Sequence, residues 1–120
     1  MRPSLVFVFG SNLAGRHGAG AARDAVLHWG AQHGKAFGMQ GNSYAIPTKD
    51  AHLKPLTIEE IQPYVYDFLR LAMATLHVMY YVTPIGTGLA KMKNETIAPL
   101  FRGAPPNCMF ISEWLPYVDG

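Results

Sequence analysis

Apolar residues fall along the chain in runs and in stripes, and the two patterns predict different elements. Leu5 to Phe9 (LVFVF) is an unbroken apolar run, as expected of a strand covered on both faces within a parallel sheet. It ends at Gly10. Ser43 to Pro47 (SYAIP) reads as a second strand, with Pro47 tolerated because it comes at the end. His77 to Thr83 (HVMYYVT) is a third, aromatic and β-branched enough to be central, and Asn107 to Ile111 a fourth. Between these runs the spacing becomes helical. Ala19, Ala21, Ala22 and Ala25 start a helix that ends near Gly30 and turns Val26 and Trp29 to the sheet. Thr57 to Glu60 (TIEE) is a capping box, and Ile58, Ile61, Val65, Phe68, Leu69, Ala72, Met73 and Leu76 trace one helical face after it, with a kink or ragged start expected at Pro63. The Tyr64 and Tyr66 pair reads as packing. Asn94 is placed to cap a short helix through Ile97, Leu100 and Phe101, stopped by Gly103 and the two prolines that follow. A tail from Glu113 to Gly120 is expected to be anchored by Trp114, Leu115 and Tyr117. Residues 31 to 42 carry three glycines and no period, which predicts a loop that is either a lid or a slack connection, with exposed Phe37 and Met39.

Strands alternating with helices predict an α/β fold, and a chain of 120 residues has the length of one domain over residues 1–120. Hydrophobic residues at 49% and charged residues at 15% describe a globular protein with a weakly charged surface, which leaves homodimerisation open. A formal charge of +2, with dispersed Lys and Arg, argues against nucleic acid as the partner and suits a phosphate-bearing small molecule. The single cysteine, Cys108, falls in a buried strand and reads as an inert thiol. With no signal-peptide pattern and no apolar run near the ~18 residues of a membrane span, the expected location is the cytoplasm and no membrane partner is expected.

The chemistry centres on Gly10 to Asp24 (GSNLAGRHGAGAARD), where a strand runs through a glycine-rich turn into a helix N-terminus. That arrangement leaves backbone N–H groups and the positive end of a helix dipole facing one crevice, and phosphate fits there. Ser11 and Asn12 stand at the carboxyl end of the strand, either as ligand contacts or as an Asx-type turn. Arg16, His17 and Arg23 are placed to reach a phosphate or to be solvated, while His17 and His28 read as surface imidazoles rather than acid/base groups. A second stretch, Thr83 to Lys91 (TPIGTGLAK), repeats the arrangement, with the Thr87 hydroxyl and N–H both able to donate to a phosphate. Thr48, Lys49 and Asp50 end the second strand near the same crevice. Lys49 reads either as its cation or as a solvated lysine paired with Asp50.

Several chemistries are excluded. Gly18-Ala19-Gly20 lacks the third glycine and the acidic residue of a dinucleotide-redox fingerprint, and no Gly-Lys-Ser/Thr exists for a Walker A loop. The five histidines show no metal-ligand spacing, so neither a metal nor a cofactor is expected.

HGAGAA opening a helix, then YAIPTKD, then TPIGTGLAKMKNETIAPLF after a strand, together over about residues 5 to 102, resemble the macro domain superfamily, most of all its terminal ADP-ribose protein glycohydrolase branch. The resemblance implies a compact three-layer α/β/α domain with a mainly parallel central sheet that binds ADP-ribose. It places the diphosphate between Gly18, Ala19, Gly20 and Ile85, Gly86, Thr87, Gly88, Leu89, and the distal ribose near Asn12 and Lys49. It also makes Lys49 the candidate catalytic residue, since the glycohydrolases use a lysine at this position to attack the ribose. The aspartate that assists them is replaced by Ala90, for which Asp50 is the candidate substitute. The upstream strands and the acidic residue that reads adenine have no counterpart, so either adenine is read from elsewhere, with the 31 to 42 loop or Trp114 and Tyr117 as candidates, or the ligand is not ADP-ribose itself. Three readings result. The first is binding of ADP-ribose or a related NAD-derived nucleotide, with Ser11 and Thr48 among the ligand contacts. The others are hydrolysis of an ester-linked or phosphorylated ADP-ribosyl substrate using Lys49, and a protein or RNA interaction module.

Overall fold

The computed structural model describes residues 4–119, so Gly120 of the expected tail lies outside the described residues. β1 (Ser4–Asn12) is the middle strand of a five-stranded sheet, with β3 (Ser43–Lys49) on one side and β4 (Val78–Val82) on the other, both parallel to it. β5 (Cys108–Phe110) extends the β4 side in parallel, and β2 (Gly38–Gln40) closes the β3 side in antiparallel register, Met39 opposite Tyr44. The sheet is therefore mixed rather than mainly parallel as expected. The difference comes from the 31 to 42 segment, read as a structureless loop, which supplies the antiparallel edge strand. Three residues are too few to show a period.

Alternation along β1 divides the core. Val6 and Val8 point to one face, where they join Tyr44, Ile46, Tyr80 and Val82 against α2 (Ile58–Ala74); Phe7 and Phe9 point to the other, against α1 (Gly20–His28). Phe7 stacks on Trp29 at 5.2 Å, so Trp29 and Val26 face the sheet as expected. α2 opens with the predicted capping box: Thr57 Oγ1 accepts from the Glu60 N–H at 3.1 Å and the Thr57 N–H donates to Glu60 Oε1 at 3.0 Å. The helix runs unbroken through Pro63. It buries Ile61, Val65, Phe68 and Ala72, whereas Met73 is 56% exposed and Leu76 lies past its end, so the apolar stripe is narrower than expected. Tyr64 packs on Phe37 at 5.4 Å, while Tyr66 is exposed.

Three further expectations are corrected. Asn94 does not cap α3 (Asn94–Ile97): Lys93 holds that position, and Asn94 Oδ1 instead accepts from Trp114 Nε1 at 2.9 Å. In the tail, Ser112–Trp114 is a 3-10 turn leading into α4 (Leu115–Val118); Trp114 and Val118 are buried, whereas Leu115 is exposed. Pro47 sits inside β3 rather than at its end, tolerated because β2 pairs only as far as Ala45. Cys108 is buried as expected, and burial pushes its thiol up to about 12.

Two sets of contacts close loops at the two edges of the sheet. Asn107 Nδ2 reaches the carbonyls of Ala72, Thr75 and Val78 at 3.0–3.1 Å, tying the end of α2 to the start of β4. At Gly15, with φ +69°, an added Cβ would lie 2.5 Å from the Gly34 carbonyl carbon, and the Gly34 N–H donates to the Gly15 carbonyl at 2.8 Å, so only glycine lets these loops touch.

Phe68, fully buried, meets the rings of Tyr44, Tyr80 and Phe101. Phe68→Ala is expected to lower unfolding stability in urea by about 3–5 kcal/mol, against under ~0.5 kcal/mol for Met73→Ala. Equal losses would mean that the core is not where these rings place it.

Candidate functional site

β1, β3 and β4 run parallel and side by side, so their carboxyl ends reach the same edge of the sheet. The chain leaving β1 returns on the β2–β3 side of the sheet, whereas the chain leaving β4 returns at β5 on the other side, which opens a crevice outside the strand ends. A cleft of about 650 Å³ lies there. It is lined by the twelve residues expected as ligand contacts or as the catalytic lysine: Ser11 and Asn12, Gly18 to Gly20, Thr48 and Lys49, and Ile85 to Leu89. The two glycine-rich stretches, some seventy positions apart, thus form opposite walls of one site.

The first wall is the beginning of α1. Its N-cap is Ala19, which has no side-chain oxygen, and no side chain caps the helix. The N–H groups of Gly18 to Ala22 donate to nothing among the described residues. Ala21 and Ala22 join Gly18, Ala19 and Gly20 in the lining. The second wall follows β4. Thr83 ties it to β1, its Oγ1 and N–H both donating to the Val8 carbonyl at 2.7 and 3.1 Å. Gly86 takes φ +79° with the Met92 sulfur 3.1 Å from where a Cβ would stand, which makes the residue there a glycine. The N–H groups of Gly86, Gly88, Leu89 and Ala90 likewise have no partner among the described residues. Thr87 differs from expectation: its Oγ1 and N–H both donate to the Pro84 carbonyl, at 2.7 and 3.2 Å, so both donors are already engaged.

The polar side chains between the walls are mostly engaged. Asn12 grips the backbone of Arg16 twice, Nδ2 donating to its carbonyl at 2.8 Å and Oδ1 accepting from its N–H at 3.0 Å. The Ser11 hydroxyl donates to the Ala36 carbonyl, and Thr48 Oγ1 to the Ser11 carbonyl at 3.4 Å. The charged residues of the lining are Arg16 and Lys49, both cations. Lys49 forms no ion pair with Asp50; among the described residues the one such contact is Arg70 with Asp67. The Asp50 carboxylate accepts from the N–H groups of His52 and Lys54 at 2.8 and 2.9 Å, and those bonds, that of Lys54 foremost, hold it below the usual carboxylate range. Fixed in that turn, Asp50 does not line the cleft. The same turn carries Leu53 into the lining, a residue the sequence did not single out. Arg23 does not reach the cleft, and neither the 31 to 42 segment nor Trp114 nor Tyr117 contributes to it, so the sources expected for adenine recognition are not there.

His17 is not a surface imidazole. It is 1% exposed, edge-on to Phe9 and stacked against His33, with Nε2 between the Lys35 carbonyl at 3.1 Å and Gln40 Oε1 at 3.2 Å. Two acceptors around Nε2 place the proton of the neutral ring there, leaving buried Nδ1 without a partner. Through this ring the 31 to 42 segment is bolted to the back of the first wall.

Among the described residues no three His, Cys, Asp or Glu side chains converge on a point that would hold a metal ion, and no helix is long and apolar enough to cross a membrane. Comparison with family models, curated proteins and solved structures finds no match.

Burial lowers the pKa of His17 below the ordinary 6.5, more strongly than its hydrogen bonds to Lys35 and Gln40 raise it. The unfolded chain therefore binds a proton that the native one refuses, and the stability held above pH 6.5 is lost as the pH falls below it. Urea unfolding at pH 8 and at pH 5.5 is expected to show a larger loss in the wild type than in His17→Gln. Identical pH slopes would contradict this placement of His17.

Proposed function

We propose that this chain is a macro-like, three-layer domain that binds ADP-ribose or a related NAD-derived nucleotide, with the diphosphate between the two glycine-rich walls. One observation carries the reading: two separate sets of unpartnered main-chain N–H groups, one at an uncapped helix N-terminus, line the same cleft. Such groups, with Arg16 and Lys49 beside them, are complementary to an anion and to little else. The volume also suits a ligand of nucleotide size.

Lys49 favours a second reading, in which the ligand is an ADP-ribosyl ester or phosphate and the amine attacks its ribose. Lys49 lines the cleft, but no carboxylate does, so a hydrolysis that uses the amine as nucleophile lacks a carboxylate for its proton transfers. Binding is accordingly the leading activity.

Gly18 and Gly88 test both walls, because a Cβ at either meets nothing within 4 Å and neither has a positive φ. Gly20, at φ +59°, would confound the test with backbone strain. By calorimetry, wild type should bind ADP-ribose, and Gly18→Glu and Gly88→Glu should each weaken it by at least about tenfold through repulsion of the phosphates. Unchanged affinity in both variants would remove the reading. Release of ADP-ribose from an ester-linked substrate by the wild type, abolished in Lys49→Ala with affinity retained, would put the hydrolase in its place.

A further inference from the structure

The inventory of hydrogen-bonding groups in the cleft bears on what part of a nucleotide it can tell apart. This step rests on the nucleotide reading above. A site that distinguishes adenine from hypoxanthine must meet the base edge with a fixed partner, because the two differ in whether position 6 carries a donor or an acceptor and whether N1 accepts or donates. Among side chains, amides and carboxylates are the groups suited to this, and no carboxylate lines the cleft. The one amide, that of Asn12, is 4% exposed with both ends on the Arg16 backbone. The hydroxyls of Ser11, Thr48 and Thr83 are equally buried and donate to carbonyls of the protein. Thr87 stands on the second phosphate wall with its proton on Pro84.

Two kinds of group remain. The free N–H groups and the two cations address phosphate, and the exposed apolar side chains Leu53 and Leu89, 45% and 66% accessible, offer contact without direction. A leucine covers the face of any base and is indifferent to its edge. We infer that the cleft selects its ligand by the diphosphate and not by the base, so that its ligand class is nucleoside diphosphate sugars at large, with adenine, hypoxanthine and guanine accepted alike.

Calorimetric titration of the wild type with ADP-ribose, with its hypoxanthine and guanine counterparts, and with inorganic pyrophosphate tests this. The three nucleotides are expected to bind within about threefold of one another, where a hydrogen-bonded base edge would separate them by orders of magnitude. The double variant Leu53→Ala, Leu89→Ala should weaken all three to the same degree and leave pyrophosphate unchanged. An adenine preference of tenfold or more would overturn the inference while leaving nucleotide binding in place. If pyrophosphate alone binds, or nothing does, the nucleotide reading falls and this one with it.

Discussion

An α-helix leaves its first N–H groups without intrahelical partners, and a helix whose opening residues are Gly and Ala has no side chain to give them. In α1 those residues are Ala19, Gly20, Ala21 and Ala22, and the uncapped amides face the cleft. The same lack that makes this a poor helix start is what an anion site would require. Small side chains leave the amides uncovered, and the dipole of the helix adds to their partial charges. The rest of this part of the fold leaves the amides unpartnered and brings a second set, those of Gly86, Gly88, Leu89 and Ala90, to the same cleft.

That requirement explains why so much of the molecule is spent on the back of the first wall. The 31 to 42 segment does not cover the cleft; it buttresses the loop from behind. Gly34 sits against Gly15, His17 lies between Lys35 and Gln40, and Ser11 donates to Ala36. Gln40 adds a bond from its Nε2 to the Lys35 carbonyl at 3.0 Å and accepts the Gln32 N–H at 2.8 Å. With Asn12 closing on Arg16 from the front, residues 11–17 are fixed by side chains on both sides. A loop so held costs little further ordering when a ligand arrives.

Four of the five strands, α1 and α2 were legible in the sequence, because hydrophobic period is a local signal, and the shared crevice of the two glycine-rich turns followed from parallel strands that end at one edge. What was not legible depended on partners far along the chain. His17 reads as a surface residue until Gln40 and Lys35 are brought to it, and Asn94 reads as a cap until Trp114 arrives from twenty residues later. Residues 38 to 40 carry no strand pattern of their own; β3 imposes one by pairing. Leu53 reaches the cleft only because Asp50 accepts from His52 and Lys54 and folds the turn back. In each case a partner brought from elsewhere in the chain, by a polar side chain or by strand pairing, decided the outcome.

Thr87 shows how far pre-organisation extends. Its hydroxyl and N–H close on the Pro84 carbonyl, so recruiting them to a ligand would break two bonds, each worth about 1 kcal/mol net. Gly86, Gly88, Leu89 and Ala90 need no such exchange, because their N–H groups have no partner to lose. The threonine that looks most like a ligand contact in the sequence is therefore better understood as the clasp of the turn. By satisfying Pro84 it holds the loop open in the shape that leaves its neighbours' amides free, and the glycines beside it, which offer no side chain at all, present the donors.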